Sequence, residues 1–161
     1  MAFCLKICHC LLMNNIDFME LALKQAEKAA QLGEVPVGAV VVNPNGEVIA
    51  SAHNLIETQR DSTAHAEFLV LREAMEKLNQ KFLNGHDLWV TLEPCAMCAG
   101  AISQARIRRL YFASEDRKGG AVEHGSRVFS QATCHHKPEI YGGIMASKSA
   151  ILLKKFFAKR R

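Results

Sequence analysis

Two short clusters carry the side chains able to do chemistry: His65-Ala-Glu67 and, further along, Pro94-Cys-Ala-Met-Cys98. Neither decides anything alone. A His-x-Glu occurs often by chance, and its plain structural meaning is a helix start followed by a solvated glutamate. A Cys-x-x-Cys is more specific, yet it serves as a redox pair or as half of a structural zinc site. Together the clusters offer one imidazole and two thiols, a donor set suited to zinc. Cys95 and Cys98 stand at i and i+3, so they share one helix face and can grip one ion. Pro94 favours a helix start there, and the positive end of a helix dipole favours thiolate over thiol. Three protein ligands with a fourth position left to water mark catalytic zinc, whereas structural sites are closed by four. Glu67 is then the group available to move protons. Residues at i and i+2 do not share a helix face, so periodicity alone does not bring Glu67 to a metal held by His65. The pair must sit in the first turn if both are to address one cleft.

The elements that position these residues can be read from periodicity. Met19, Ala22, Leu23, Ala26, Ala29 and Ala30 recur at helical spacing, with Asn14 or Asn15 as N-cap and Gly33 as the stop. Residues 37–42 are apolar and β-branched, 43–46 read Asn-Pro-Asn-Gly, and 47–52 return, which predicts a β-hairpin. A polar link through Arg60, Asp61, Ser62 and Thr63 leads to a helix over 64–78, where Phe68, Leu71, Ala74, Met75 and Leu78 form one stripe. A third strand over 87–92, a helix over 95–104 opened by Pro94 and a fourth strand over 107–113 follow. A basic amphipathic helix over 147–159 closes the chain. This alternation predicts an α/β protein, a sheet covered by helices.

With 161 residues, 49% of them hydrophobic, the chain fits one domain that can bury a core without disulfides. The 22% charged fraction argues against a disordered chain, and no apolar run approaches the roughly 20 residues of a bilayer span. Of six cysteines, Cys4, Cys8 and Cys10 crowd the start and Cys95 and Cys98 form the spaced pair, a poor disulfide framework. A reducing, cytoplasmic setting without a membrane follows as the expectation. Residues 1–12 lack the features of a signal peptide and are expected to be a disordered N-terminal extension, leaving 13–161 as the domain. The net charge of +4 is modest, but its basic excess gathers at the end. Lys148, Lys154, Lys155, Lys159, Arg160 and Arg161 lie in a stretch without an acidic residue, a nucleic-acid type of signal. Its bland counterpart is the solvated end of a helix.

The order His-x-Glu, then Pro-Cys-x-x-Cys, matches the signature of zinc nucleobase deaminases. The chain resembles the cytidine deaminase-like superfamily, and within it the bacterial tRNA-specific adenosine deaminases. The resemblance is carried by Glu34-Val-Pro-Val-Gly-Ala-Val40, Thr63-Ala-His-Ala-Glu67, Thr91-Leu-Glu-Pro-Cys-Ala-Met-Cys-Ala-Gly100 and Asp116-Arg-Lys-Gly-Gly-Ala121. It implies a three-layer α/β/α fold with a central mixed five-stranded sheet, a homodimer, and one Zn2+ per subunit on His65, Cys95 and Cys98. The implied activity is hydrolytic deamination of the wobble adenosine to inosine in a tRNA anticodon stem-loop, by a zinc-activated water with Glu67 as proton shuttle. The resemblance also gives Asn54 a hydrogen bond to the target nucleoside and Asp116 a contact to a neighbouring nucleotide. Their bland counterparts are a turn Asn and a solvated loop Asp. Where the family often has Asn-His-Arg, this chain reads His135-His-Lys137, so His136 matches the family histidine and stands as a further substrate contact. Lys118, Lys154, Lys155, Lys159, Arg160 and Arg161 are the candidate RNA contacts, because lysine and arginine supply sequence-independent phosphate affinity.

Two other readings use the same residues. A deaminase of a free base or nucleoside (cytosine, cytidine or guanine) would carry nearly the same motif. A non-catalytic zinc-stabilised RNA-binding module would need a fourth protein ligand, with Cys134, His135 or His136 available, and would leave Glu67 without a role.

Overall fold

The computed structural model describes residues 15–160, with side chains from Phe18 onward. The expected extension over 1–12, the alternative cap Asn14 and the basic residue Arg161 lie outside the described residues. Helix α1 (Asn15–Gln31) leads into the hairpin of β1 (Gly38–Val42) and β2 (Val48–His53), then a single turn, α2 (Ile56–Gln59), and helix α3 (Ala66–Leu78). Strand β3 (Asp87–Leu92), helix α4 (Ala96–Gln104) and strand β4 (Arg109–Ser114) follow. A 3-10 turn at Val128–Ser130, the short strand β5 (Glu139–Tyr141) and helix α5 (Ala146–Ala158) complete the chain.

The sheet order is β2-β1-β3-β4-β5. Strand β1 is antiparallel to both neighbours, while β3, β4 and β5 run parallel, so the sheet is mixed and five-stranded as the resemblance implied. Alternation along the strands divides the core between the two faces. Ala39, Val41, Leu88, Val90, Leu110 and Phe112 point to the face covered by α3 and α4, where Val70, Leu71, Ala74, Ala99 and Ile102 meet them. Val40, Val42, Trp89, Tyr111 and Ala113 point to the other face, where Phe18, Met19, Ala22 and Leu23 of α1 pack. Helix α5 shares that layer against β4 and β3. Three layers result.

Close approach of α1 to the sheet depends on Gly38, because a Cβ there would run into the backbone of Ala22 and Ala26. Helix α5 is fixed by polar hooks at the ends of two strands. The Ser149 hydroxyl donates to the Thr91 carbonyl, and the Ser114 hydroxyl donates to the Ala146 carbonyl at 2.9 Å. These bonds set the basic helix beside the C-terminal ends of β3 and β4, the edge at which α/β sheets commonly place their sites.

The observed helices fall close to the periodic segments, with α3 starting at Ala66, next to the start expected near His65. Periodicity missed α2 and β5. Both are too short, at 4 and 3 residues, for a repeat of either period to declare itself.

Candidate active site

His65 and Cys95 each occupy the N-cap of a helix, with extended backbone at φ −75°, ψ 148° and φ −72°, ψ 173°. That placement answers the spacing problem. His65 stands outside α3, so its side chain is not bound to the helical face rule, and Glu67 turns inward from the first turn. Cys98 follows one turn into α4, fully buried.

The ligand atoms converge. His65 Nδ1 lies 3.7 Å from Cys95 Sγ and 3.6 Å from Cys98 Sγ, and the three ligand atoms fall within 4.8 Å of one another. For a tetrahedral ion with zinc–nitrogen and zinc–sulfur bonds of ordinary length, the N···S edge is about 3.6 Å. The spacing therefore fits zinc by geometry as well as by donor chemistry. Among the described residues this is the one such cluster of ligating side chains, and it includes neither Cys134 nor His135 nor His136. Among the described residues the closed four-ligand site of a binding module is not assembled.

Protonation in the site follows from burial and the shared thiol proton. The Cys98 thiol, with the His65 ring, hydrogen-bonds to Cys95 and brings that thiol down to about 4. The same bond to Cys95 and the loss of water push the Cys98 thiol up. The Cys95 thiolate in turn holds the His65 imidazole above its ordinary value. A divalent cation would replace that proton and leave two thiolates. Glu67 is 4% exposed, and burial pushes its carboxyl up to about 7, where it can accept and return a proton at neutral pH.

Asn54 is 5% exposed at the end of β2. Its amide hydrogen goes to the Val37 carbonyl at 3.1 Å, and its Oδ1 accepts the Ala66 amide hydrogen at 2.9 Å. His65 makes no side-chain cap of its own, so Asn54 caps α3 and leaves the imidazole free for a metal. The two Nδ2 hydrogens of Asn54 take no part in that cap.

Residues 13–161 match the MafB19-like deaminase family. The chain is 56% identical over 148 residues to the tRNA-specific adenosine deaminase of Agrobacterium fabrum, a match covering 92% of this chain and 97% of that protein. The chain belongs to the MafB19-like deaminase family and, within it, to the tRNA-specific adenosine deaminases. The deaminase is also 43% identical over 144 residues to the Bacillus subtilis protein of the same description, with 89% of each chain covered. A structure from work on A-to-I editing by tRNA:A34 deaminases at the wobble position matches with a TM-score of 0.83 at 57% identity, covering 84% of this chain and 98% of that one. The guanine deaminase of Nitrosomonas europaea, at 23% identity and a TM-score of 0.75 over 91% of this chain and 86% of that one, shares the fold.

The deaminase also has a cleft of about 810 Å³ lined by Val35, Leu92, Glu115, Asp116, Lys118 and Arg160 among others, of which Leu92 stands three residues before Cys95. It joins the end of β3 to the last turn of α5. Asp116 Oδ1 accepts the amide hydrogens of Lys118 and Gly119, each at 3.0 Å, which leaves Oδ2 for a ligand. Arg160 is anchored: its guanidinium lies 4.4 Å from the Phe156 ring centroid and donates to the Gly33 carbonyl. The other basic candidates disperse. Lys154 borders a shallow groove with Leu153 and Phe157, Lys155 faces a groove against Glu20 and Glu27 of α1, and Lys159 is exposed at the C-cap of α5.

The structure does not bring His136 to the ligand cluster. Its Nε2–H donates to the Ile107 carbonyl at 2.7 Å, and its own carbonyl accepts the Ser103 hydroxyl at 2.7 Å. These partners stand at and beyond the C-terminal end of α4, while the metal ligands stand at its N-terminal end. His135 lines a separate pocket there with Phe82 and Arg106.

Sequence reasoning passed over two buried glutamates. Glu34, 1% exposed, receives the amide hydrogens of Glu57 and Thr58 and the Thr58 hydroxyl, fixing the link that carries the chain toward His65. Glu93, 2% exposed, sits between β3 and Pro94 and receives hydrogen bonds from the loop that follows β4. The available signal was their position inside the motif stretches 34–40 and 91–100, where a merely solvated carboxylate has no reason to be.

Proposed function

We propose that the protein hydrolyses the wobble adenosine of a tRNA anticodon stem-loop to inosine, releasing ammonia. The observation that carries this reading is the placement of a buried Glu67, its carboxyl pushed up to about 7, beside a His65, Cys95 and Cys98 cluster of zinc dimensions. One Zn2+ per subunit, held by those three side chains, would supply an activated water by lowering its pKa toward neutrality. Glu67 takes one proton from the attacking water and passes it to the ring nitrogen. It then takes the second from the hydroxyl newly formed on the ring carbon and passes it to the amine, which leaves as ammonia when its C–N bond breaks. Burial is what fits it to both tasks. Asn54 offers its Nδ2 hydrogens to the base while its Oδ1 keeps α3 and His65 in place.

The base must leave its stack to reach the bottom of this site, which is cheap in an anticodon loop. Its neighbours then lie along the cleft lined by Glu115, Asp116, Lys118 and Arg160, two carboxylates and two cations, with the Arg160 guanidinium held by Phe156 and the Gly33 carbonyl. Such an open, charged flank favours a polynucleotide over a free base. The family resemblance supports a homodimer. The free thiols of Cys95, Cys98 and Cys134 and a tRNA substrate fit a cytoplasmic setting, and no helix among the described residues is long and apolar enough to cross a membrane.

The test is direct. Purified protein incubated with an anticodon stem-loop carrying adenosine at the wobble position should yield inosine, with one zinc per chain by elemental analysis and a dimer's mass by light scattering. Conversion of a free base in place of the stem-loop would overturn the RNA assignment.

A further inference from the structure

Glu93 stands two positions before the ligand Cys95, and its side chain is wholly withdrawn from solvent. Its oxygens accept five hydrogen bonds, all from the loop after β4. Oε1 takes the amide hydrogens of Val122, Glu123 and His124 at 3.1, 2.9 and 3.0 Å. Oε2 takes the Asp116 amide hydrogen at 3.0 Å and the His124 Nδ1–H at 2.7 Å, a tautomer assigned because an ionised carboxylate can only accept. The backbone strengthens the link: Glu93 N–H donates to Ser114 at 2.8 Å, Ala121 N–H donates to Pro94 at 2.9 Å, and Cys95 bridges to Gly120. A Cβ on Gly120 would collide with the Glu93 carboxyl at 2.5 Å, so the loop closes around this side chain with no room to spare.

Withdrawing a carboxylate from water is costly unless its lone pairs are used, and here one loop uses them. The consequence is a short mechanical path. Cys95 holds the metal end, Glu93 holds the Asp116 amide, and Asp116 Oδ1 holds the amides of Lys118 and Gly119. Cys95 and the Asp116–Lys118 wall of the cleft are thereby joined through Glu93.

We propose that Glu93 is a positioning residue for the RNA flank: it holds Asp116 and Lys118 where the nucleotide beside the reacting base meets them. The proposal rests on the tRNA reading given above. It separates two functions of one loop. The metal ligands and Glu67 act on the base, and Glu93 aligns its neighbour.

Glu93→Gln isolates the effect. The glutamine oxygen can remain where Oε1 receives three amides, and His124 can switch tautomer to accept from the new NH2, but the Asp116 amide loses its acceptor. The variant should keep one zinc per chain, raise KM for the stem-loop about tenfold, the worth of one buried hydrogen bond, and hold kcat within about threefold. In an Asp116→Asn background the KM effect of Glu93→Gln should shrink to less than about twofold, because both changes act on one contact. Loss of zinc, loss of kcat at unchanged KM, or full additivity with Asp116→Asn would overturn the proposal. Amide hydrogen exchange decides the positioning independently of substrate: exchange at 116–124 should quicken while α4 stays protected. Unchanged exchange in that loop would overturn it too. A wild-type enzyme acting on free base alone would sink the RNA reading, and the loop exchange would still report on Glu93.

Discussion

Asn54 Oδ1 accepts the amide hydrogen of Ala66 at 2.9 Å, and through that bond a residue at the end of β2 sets the direction in which His65 enters α3. N-cap side chains usually satisfy their own helix, but a metal-binding imidazole cannot do both. The deaminase assigns the cap to another strand.

Asn54 substitutions should therefore separate its two roles. Asn54→Ala removes the acceptor and should lower stability by about 1 kcal/mol in denaturant titration, with weaker zinc retention. Asn54→Asp keeps an acceptor for Ala66 and loses the donor hydrogens, so fold and zinc should persist while turnover collapses. An active Asn54→Asp protein would show that the amide reads nothing.

Glu67→Gln preserves shape and removes the proposed proton carrier. Zinc content should stay at the wild-type level while kcat falls by roughly 10²–10⁴, the usual contribution of a general acid–base group. Cys98→Ser should instead lose the metal, and added zinc should restore little activity. A chelator should silence the wild type in the same way.

The Glu34 carboxyl makes stability depend on pH. Burial acts to raise its pKa, but hydrogen bonds from the Thr58 and Glu57 amides and the Thr58 hydroxyl outweigh burial and hold it below 4.5. Between the folded and unfolded pKa values the unfolded chain binds more protons, so this contribution is present above about pH 4.3 and fades as pH falls through the folded value. Glu34→Gln should be less stable than wild type at neutral pH by about 1–3 kcal/mol. The gap should close in acid. A gap of constant size from pH 7 to pH 3 would refute the linkage.

Lys118 and Lys155 carry equal charge and occupy different places, one in the cleft with Asp116 and one against α1. Lys118→Ala should weaken stem-loop binding and reduce the salt-dependence slope by about one unit. Lys155→Ala should leave the slope unchanged. The comparison is read from titrations at several salt concentrations, and equal slopes for the two variants would remove Lys118 from the interface.

Much of the site was legible because its chemistry is written in residue types. Imidazole plus two thiols at i and i+3 limits the ligand, and Pro94 announces the helix that carries them. The amphipathic helices and the long strands were legible for a different reason: burial on one face leaves a period in the sequence. Glu93 left no such trace. A glutamate between a strand and a proline reads as solvated until the loop holding Val122, Glu123 and His124 is seen folded over it. Arg160 likewise reads as one charge of a basic tail, though its guanidinium is spent on Phe156 and Gly33. His136 matched the family histidine by order along the chain, yet its ring is turned to Ile107.

The sequence by itself singled out the candidate donor set, His65, Cys95 and Cys98, the proposed proton carrier Glu67 and the helical segments behind them. Those depend on chemistry and local period, which adjacent residues encode. Only the tertiary structure decided that His65 stands at a helix cap supplied by Asn54, that Glu67 is buried beside the thiols, and that Glu93 fixes Asp116 in the cleft. Each of these joins parts of the chain that are distant in sequence. Such contacts follow from strand order and register, and no local pattern records which distant amide will meet a buried carboxylate.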